Sequence, residues 1–150
     1  MKTVFQAQTA NELIARLEKL TPGTTPQWGK MNAAQMLAHC NVSYEMVYDN
    51  IHKAPNAFMK LMLKLFVKDL VVGNKPYNKN GQTAPAFLIK DQKDFEKERA
   101  RLIAYIKKTQ ELGESYFDGK ESLSFGKLSS SQWNTMFQKH LEHHSNQFGI

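Results

Sequence analysis

The sequence predicts an all-α fold: an antiparallel four-helix bundle with one additional, lysine-striped amphipathic helix. Three observations carry this reading. Apolar residues recur at helical spacing in five segments, most of those segments open on a capping residue, and the connections between them are of modest length. No set of alternating, strand-like runs accompanies them. The 150 residues suit a single domain, 1–150, long enough to bury one hydrophobic core. With 41% hydrophobic and 23% charged residues, the composition is globular rather than disordered.

Thr9-Ala10-Asn11-Glu12 reads as a capping box opening the first helix, whose Leu13, Ile14, Leu17 and Leu20 share one face. Thr21-Pro22-Gly23 ends it. Asn32-Ala33-Ala34-Gln35 is a second cap, for a helix running to about Asp49. Pro55 starts the third helix, which stops at Gly73. From Ala57 to Val72 this segment is rich in Phe, Met, Leu and Val, yet it carries Lys60, Lys64 and Lys68 four residues apart, plus Asp69. That spacing gives a wet stripe, and the run falls short of the ~20 apolar residues a membrane span requires. It reads as a core helix with a solvated edge, in preference to a membrane-surface or dimer-forming helix.

A polar loop with Pro76, Asn80-Gly81 and Pro85 follows, with Phe87-Leu88-Ile89 as a short extended piece. Asp91 or Asp94 caps a long helix to about Leu112, with Phe95, Leu102, Ile103 and Ile106 inward and Gly113 closing it. After a second loop, Glu114 to Leu128, Ser129-Ser130-Ser131-Gln132 is a capping box for a last helix from about Ser130 to Gln147.

Twenty basic and fourteen acidic residues leave a net charge of +6. Almost all the basic residues are lysine, with arginine only at positions 16, 99 and 101, and no block of like charge appears. Arginine is the usual bidentate reader of guanine and phosphate, so nucleic acid is not an expected partner. The single cysteine, Cys40, excludes an intramolecular disulfide and a thiolate-only metal cage. It fits a reducing compartment, and the first residues, Met1 to Gln6, lack the apolar core of a signal peptide. A cytoplasmic protein is expected.

The chemistry lies in the histidines. At 100° per residue, the last helix brings Trp133, Met136, Phe137, His140, His144, Gln147 and Phe148 into one sector. His140 and His144 are one turn apart and face the apolar side; His143 lies on the flank, nearer water, a candidate to support the site from beside it or to sit at the surface. On the second helix His39 shares a face with Met36, Val42 and Met46. Three imidazoles from two helices thus aim at one interior, the ligand set of a divalent ion with open positions for water or substrate. Gln35, one turn before His39, and Gln147, one turn beyond His144, are candidates to bond a ligand ring. Trp133 is a candidate pocket or core wall, and His52 is expected in solvent. Cys40 lies 100° around the helix from His39 and reads as a packing residue. Glu142 points away from the imidazole sector, and no His-Glu-x-x-His arrangement exists, which disfavours a zincin-type protease.

Met31 to His39, read with Lys139-His140-Leu141-Glu142-His143-His144-Ser145-Asn146-Gln147-Phe148-Gly149, resembles the DinB-like (YfiT-like) superfamily of metalloenzymes. More narrowly it resembles a branch ending in His-Leu-x-His-His-x-x-Gln-Phe-Gly. The resemblance extends over nearly the whole chain, including Pro26 to Lys30 and Phe125 to Ser129. It implies a four-helix bundle, often dimeric, with a divalent metal on three histidines, which fall here on His39, His140 and His144. It further implies hydrolase-like or thiol-dependent transferase or isomerase chemistry, the latter with a low-molecular-weight thiol cofactor. Similar sequences often carry His-Pro before a Phe-Phe-Gly element; Ser122 to Gly126 stands in its place, so no role is carried over for that histidine.

The expectation is therefore a metal-dependent enzyme acting on a small-molecule substrate, as a homodimer, with zinc, nickel or ferrous iron on His39, His140 and His144. The ion would activate water or a small thiol. The site is expected at one end of the bundle, walled by the 73–85 loop and aromatic side chains. The alternative is a metal or small-ligand binding protein, or a dimerising scaffold, without turnover.

Overall fold

The computed structural model describes residues 2–150. It is predominantly helical: α1 (Ala7–Glu18), α2 (Ala33–Tyr48), α3 (Ala57–Phe66), α4 (Lys68–Val72), α5 (Phe95–Phe117) and α6 (Ser130–Gln147), with a 3-10 turn at Pro85–Phe87. One small hairpin, β1 (Glu121–Ser122) and β2 (Gly126–Lys127), pairs antiparallel with Glu121 opposite Lys127 and Ser122 opposite Gly126. Helix α2 packs against α5 and α6, α1 against the same two, and α5 against α6. Leu13, Leu17, Met36, Leu37, Leu102, Ile106, Trp133 and Phe137 fill the space between them.

The two capping boxes at Asn32 and Ser129 form as expected. In each, the cap side chain accepts from the backbone N–H of the third helical residue, and that residue's glutamine side chain accepts from the cap backbone N–H. They matter for function because they set where α2 and α6 begin, and so which way their histidines point. Helix α2 is buried on nearly every side, from Ala33 to Glu45, as befits a helix contacted by two others.

Elsewhere the structure differs from expectation. The Thr9–Glu12 capping box does not form. Helix α1 begins three residues earlier, at Ala7 with Gln6 as its cap, and Thr9 is a buried interior residue whose hydroxyl has no partner. Glu12 instead meets Lys2 and Gln8. The long helix does break at Gly113 as expected, with that residue at φ 76° and ψ 174°, but a further short helical stretch follows within the α5 span to Phe117, whose ring is fully buried against Phe5, Trp133 and Phe137. Phe87 closes a 3-10 turn opened by Pro85 rather than an extended piece.

The largest correction concerns the lysine-striped segment. It breaks at Val67 into α3 and α4, and α3 has no buried residue at all. Only α4 is anchored, resting on α6 with Val72 buried. Lys139 of α6 secures it, donating to the carbonyls of Leu70, Gly73 and Lys75 at 2.6, 2.6 and 3.1 Å. These bonds satisfy carbonyls that a helix end leaves open.

Candidate metal centre

The three histidines singled out from sequence converge. One ring nitrogen from each of His39, His140 and His144 lies within 4.8 Å of the others. The ring centroids are 4.9 Å apart for His39–His140, 4.5 Å for His39–His144 and 4.8 Å for His140–His144. His39 and His144 are 6% and 7% exposed. Phe87 packs edge-on to His39 and His140, and Tyr77 to His140 and His143.

Which nitrogen faces inward follows from what holds the outer one. His39 Nδ1 lies 2.8 Å from the carbonyl oxygen of Phe87, which only accepts, so the ring proton sits on Nδ1 and Nε2 carries the lone pair. His144 Nδ1 donates in the same way to Gln147 Oε1 at 2.7 Å. The orientation of that amide is fixed in turn, because its nitrogen donates to the Trp28 carbonyl at 2.8 Å. Gly29 allows this approach: it adopts φ +84°, and a Cβ there would stand 2.6 Å from the Gln147 amide nitrogen. His140 Nδ1 lies 3.1 Å from the Ser43 hydroxyl, which can accept or donate.

Three Nε2 atoms therefore face one another. Those of His39 and His140 are 3.0 Å apart, close to the roughly 3.3 Å between two nitrogens sharing a tetrahedral zinc at about 2.05 Å. Without an ion this contact requires the one His140 proton on Nε2, with the Ser43 hydroxyl donating to Nδ1. With an ion His140 takes the other tautomer, and Ser43 accepts. The hydroxyl serves both states. Extra protons are disfavoured at all three rings. Burial, then the neighbouring His144 and His39, hold His140 well below the usual imidazole range. Burial, then His39, bring His144 down to about 3. Burial also lowers His39, against the opposing hydrogen bond to Phe87. Buried neutral imidazoles with inward lone pairs are the donor set a borderline divalent cation prefers.

The remaining candidates separate. Gln147 bonds His144 as described. His143 stands beside the cluster, edge-on to His144, Trp28 and Tyr77. Gln35 does not reach a histidine, since its side chain is spent on the Asn32 cap and the Asp91 carbonyl. Trp133 is no pocket wall; it is 2% exposed and stacked on Phe137 in the core. His52 is not free in solvent but lies 3.3 Å from Glu45 Oε1. Cys40 is fully buried, its thiol 3.7 Å from the Met36 sulfur, and burial pushes its pKa up, away from reactivity. Glu142 bonds Gln138, away from the rings. Sequence reasoning missed Ser43 and the Phe87 carbonyl. Ser43 had a signal, one helical turn after His39; a backbone carbonyl in a turn has none.

A buried group of three histidines able to hold a metal ion thus sits where α2 and α6 meet. Over residues 2–149 the chain matches the family described as Protein of unknown function (DUF1569), and it belongs to that family. The family lies within the DinB/YfiT-like superfamily. No curated protein and no solved structure matches the chain.

Proposed function

We propose that this protein is a divalent-metal-dependent enzyme of the DinB-like kind, a four-helix bundle built from α1, α2, α5 and α6. In this reading His39, His140 and His144 hold the ion, and the class is hydrolase or thiol-dependent transferase acting on a small molecule. The observation that carries the reading is the convergence of three Nε2 atoms, each ring backed at Nδ1 by a protein group. Backing of this kind fixes the orientation of a ligating imidazole and raises its basicity. A bound zinc, nickel or ferrous ion supplies Lewis acidity, which lowers the pKa of water or of a low-molecular-weight thiol.

The chain's own residues supply the rest. Phe87 and Tyr77 keep an apolar rim against the rings, which excludes bulk water and strengthens electrostatics inside. Burial pushes the Tyr77 pKa up to about 12. The test is elemental analysis of protein purified without a histidine tag, followed by thiol-transfer and ester-hydrolysis screens. About one ion per chain is expected, with His140→Ala and His144→Ala losing it and His52→Ala retaining it. Equal metal content in all three variants would refute the assignment.

One observation favours binding without turnover as a second reading. The side chains against the rings are Phe87, Tyr77, Ser43, Gln147 and His143, and none is a carboxylate that would serve as a general base. A metal-loaded protein inert across the screens supports it.

A further inference from the structure

We propose that α3 is a docking helix for an anionic lipid surface. The chain's charge is unevenly placed. Residues 50–90 contain seven lysines and one acidic residue, Asp69, while the rest of the chain carries thirteen basic and thirteen acidic residues. The whole excess of +6 therefore lies in this one segment.

The same segment holds eight of the ten large hydrophobic side chains most exposed among the described residues. Phe58, Leu61, Leu65 and Phe66 of α3 are 70%, 53%, 64% and 72% exposed. At 100° per residue these four occupy one sector of about 140°, with Lys60 and Lys64 on the other side. The helix is thus turned the opposite way from a core helix. Lys64 runs back toward the hairpin, its ammonium 3.5 Å from where a Cβ on Gly126 would stand, and the apolar sector looks outward.

An outward apolar face with lysines on the opposite, polar face is the pattern of an interfacial helix, in which the apolar side enters the acyl boundary and the long lysine side chains reach toward headgroup phosphates. Charge selects this occupant over a second copy of the chain, which would bring an equally positive segment against the first. It also selects anionic over neutral lipid. No helix among the described residues is long and apolar enough to cross a membrane, so the contact lies in the plane of the surface. The anchoring of α4 by Lys139, next in sequence to His140, fixes the base of α3, whose own residues are none of them buried.

The test is co-sedimentation of the intact protein with vesicles of equal parts phosphatidylglycerol and phosphatidylcholine, against vesicles of phosphatidylcholine alone. Light scattering of the protein without vesicles runs alongside. The expected result is binding to the anionic vesicles only, weakened by salt. Phe58→Ser/Phe66→Ser lowers the partition coefficient roughly tenfold or more, with unchanged circular dichroism. Failure to bind anionic vesicles, or equal binding to both kinds, overturns the proposal. So does a dimer in solution that the same double variant converts to monomer, since the face would then be covered by a second copy.

Discussion

Helix α2 buries polar side chains on two opposite sides, and the two sides are built on different logic. Toward α5 it presents Asn41 and Glu45, one turn apart. Glu45 meets Arg101 at 3.0 Å and His52 at 3.3 Å; Arg101 also meets Glu98 at 2.8 Å, and Asn41 donates to Glu98 at 2.9 Å. Each carboxylate there has a cation, and the network closes on itself. Toward α6 the helix presents His39 and Ser43, also one turn apart, and there like meets like. Three inward acceptor nitrogens have at most one proton among them. A buried polar group is costly unless it is paired. The first side meets that requirement for its charged groups with the chain's own atoms, although Asn41 Oδ1 is left without a partner, and reads as structural. The second meets it fully only with a cation from outside.

Breaking each side separately gives opposite signatures. On the histidine side, His144→Ala is expected to abolish stoichiometric metal binding, read by elemental analysis. In the wild-type protein, metal at about one hundred times its Kd should add about 2.7 kcal/mol to unfolding stability, and chelation should remove it. On the network side, Glu98→Ala leaves Arg101 with one carboxylate fewer and Asn41 with only the backbone carbonyl of residue 98 as acceptor. Because Arg101 is about a third exposed, the expected loss is about 2–3 kcal/mol in urea unfolding, below the roughly 3–5 kcal/mol of a broken, fully buried pair. Metal stoichiometry should not change. A Glu98→Ala protein that loses its metal would mean the two sides are one unit.

The contrast also explains what was legible in the sequence. The three histidines were legible because helical periodicity is a strong signal and two capping boxes pin the phase of α2 and α6. Gln147 was legible for the same reason, lying one turn beyond His144. The network was not, since pairing between Glu45 and Arg101, fifty-six positions apart, has no local trace. His52 was misjudged on that account. Thr9–Glu12 failed because the pattern of a capping box also occurs inside a helix; Thr9 faces the core, and the start shifts to Ala7. The α3 segment failed for a different reason. Periodicity shows that a helix has two faces, and burial was assigned to the apolar one by default. No local feature of Phe58 or Phe66 reveals that the described residues leave them largely uncovered.

Within the histidine side the supporting groups should rank by how much freedom their loss restores. Gln147→Ala frees His144 at Nδ1 and unlinks it from the Trp28 carbonyl, with a 10–100-fold loss of metal affinity expected. Gly29→Ala should move affinity the same way, because a Cβ would crowd that amide at a backbone angle suited to glycine.

Ser43→Ala should have the smallest effect, about tenfold or less by competition against a chromogenic chelator. His140 is already confined by Phe87, Tyr77 and the rings of His39 and His144, so losing one hydroxyl removes a hydrogen bond without releasing the ring. The sign with respect to metal-free stability is the sharper part. In the metal-free protein Ser43 donates to His140 Nδ1, and in the loaded protein it accepts, so its removal costs both states a similar amount. Affinity should therefore fall less than stability does. A Ser43→Ala variant that loses metal as completely as His144→Ala would mean that His140 reaches the ion only when the hydroxyl holds it there.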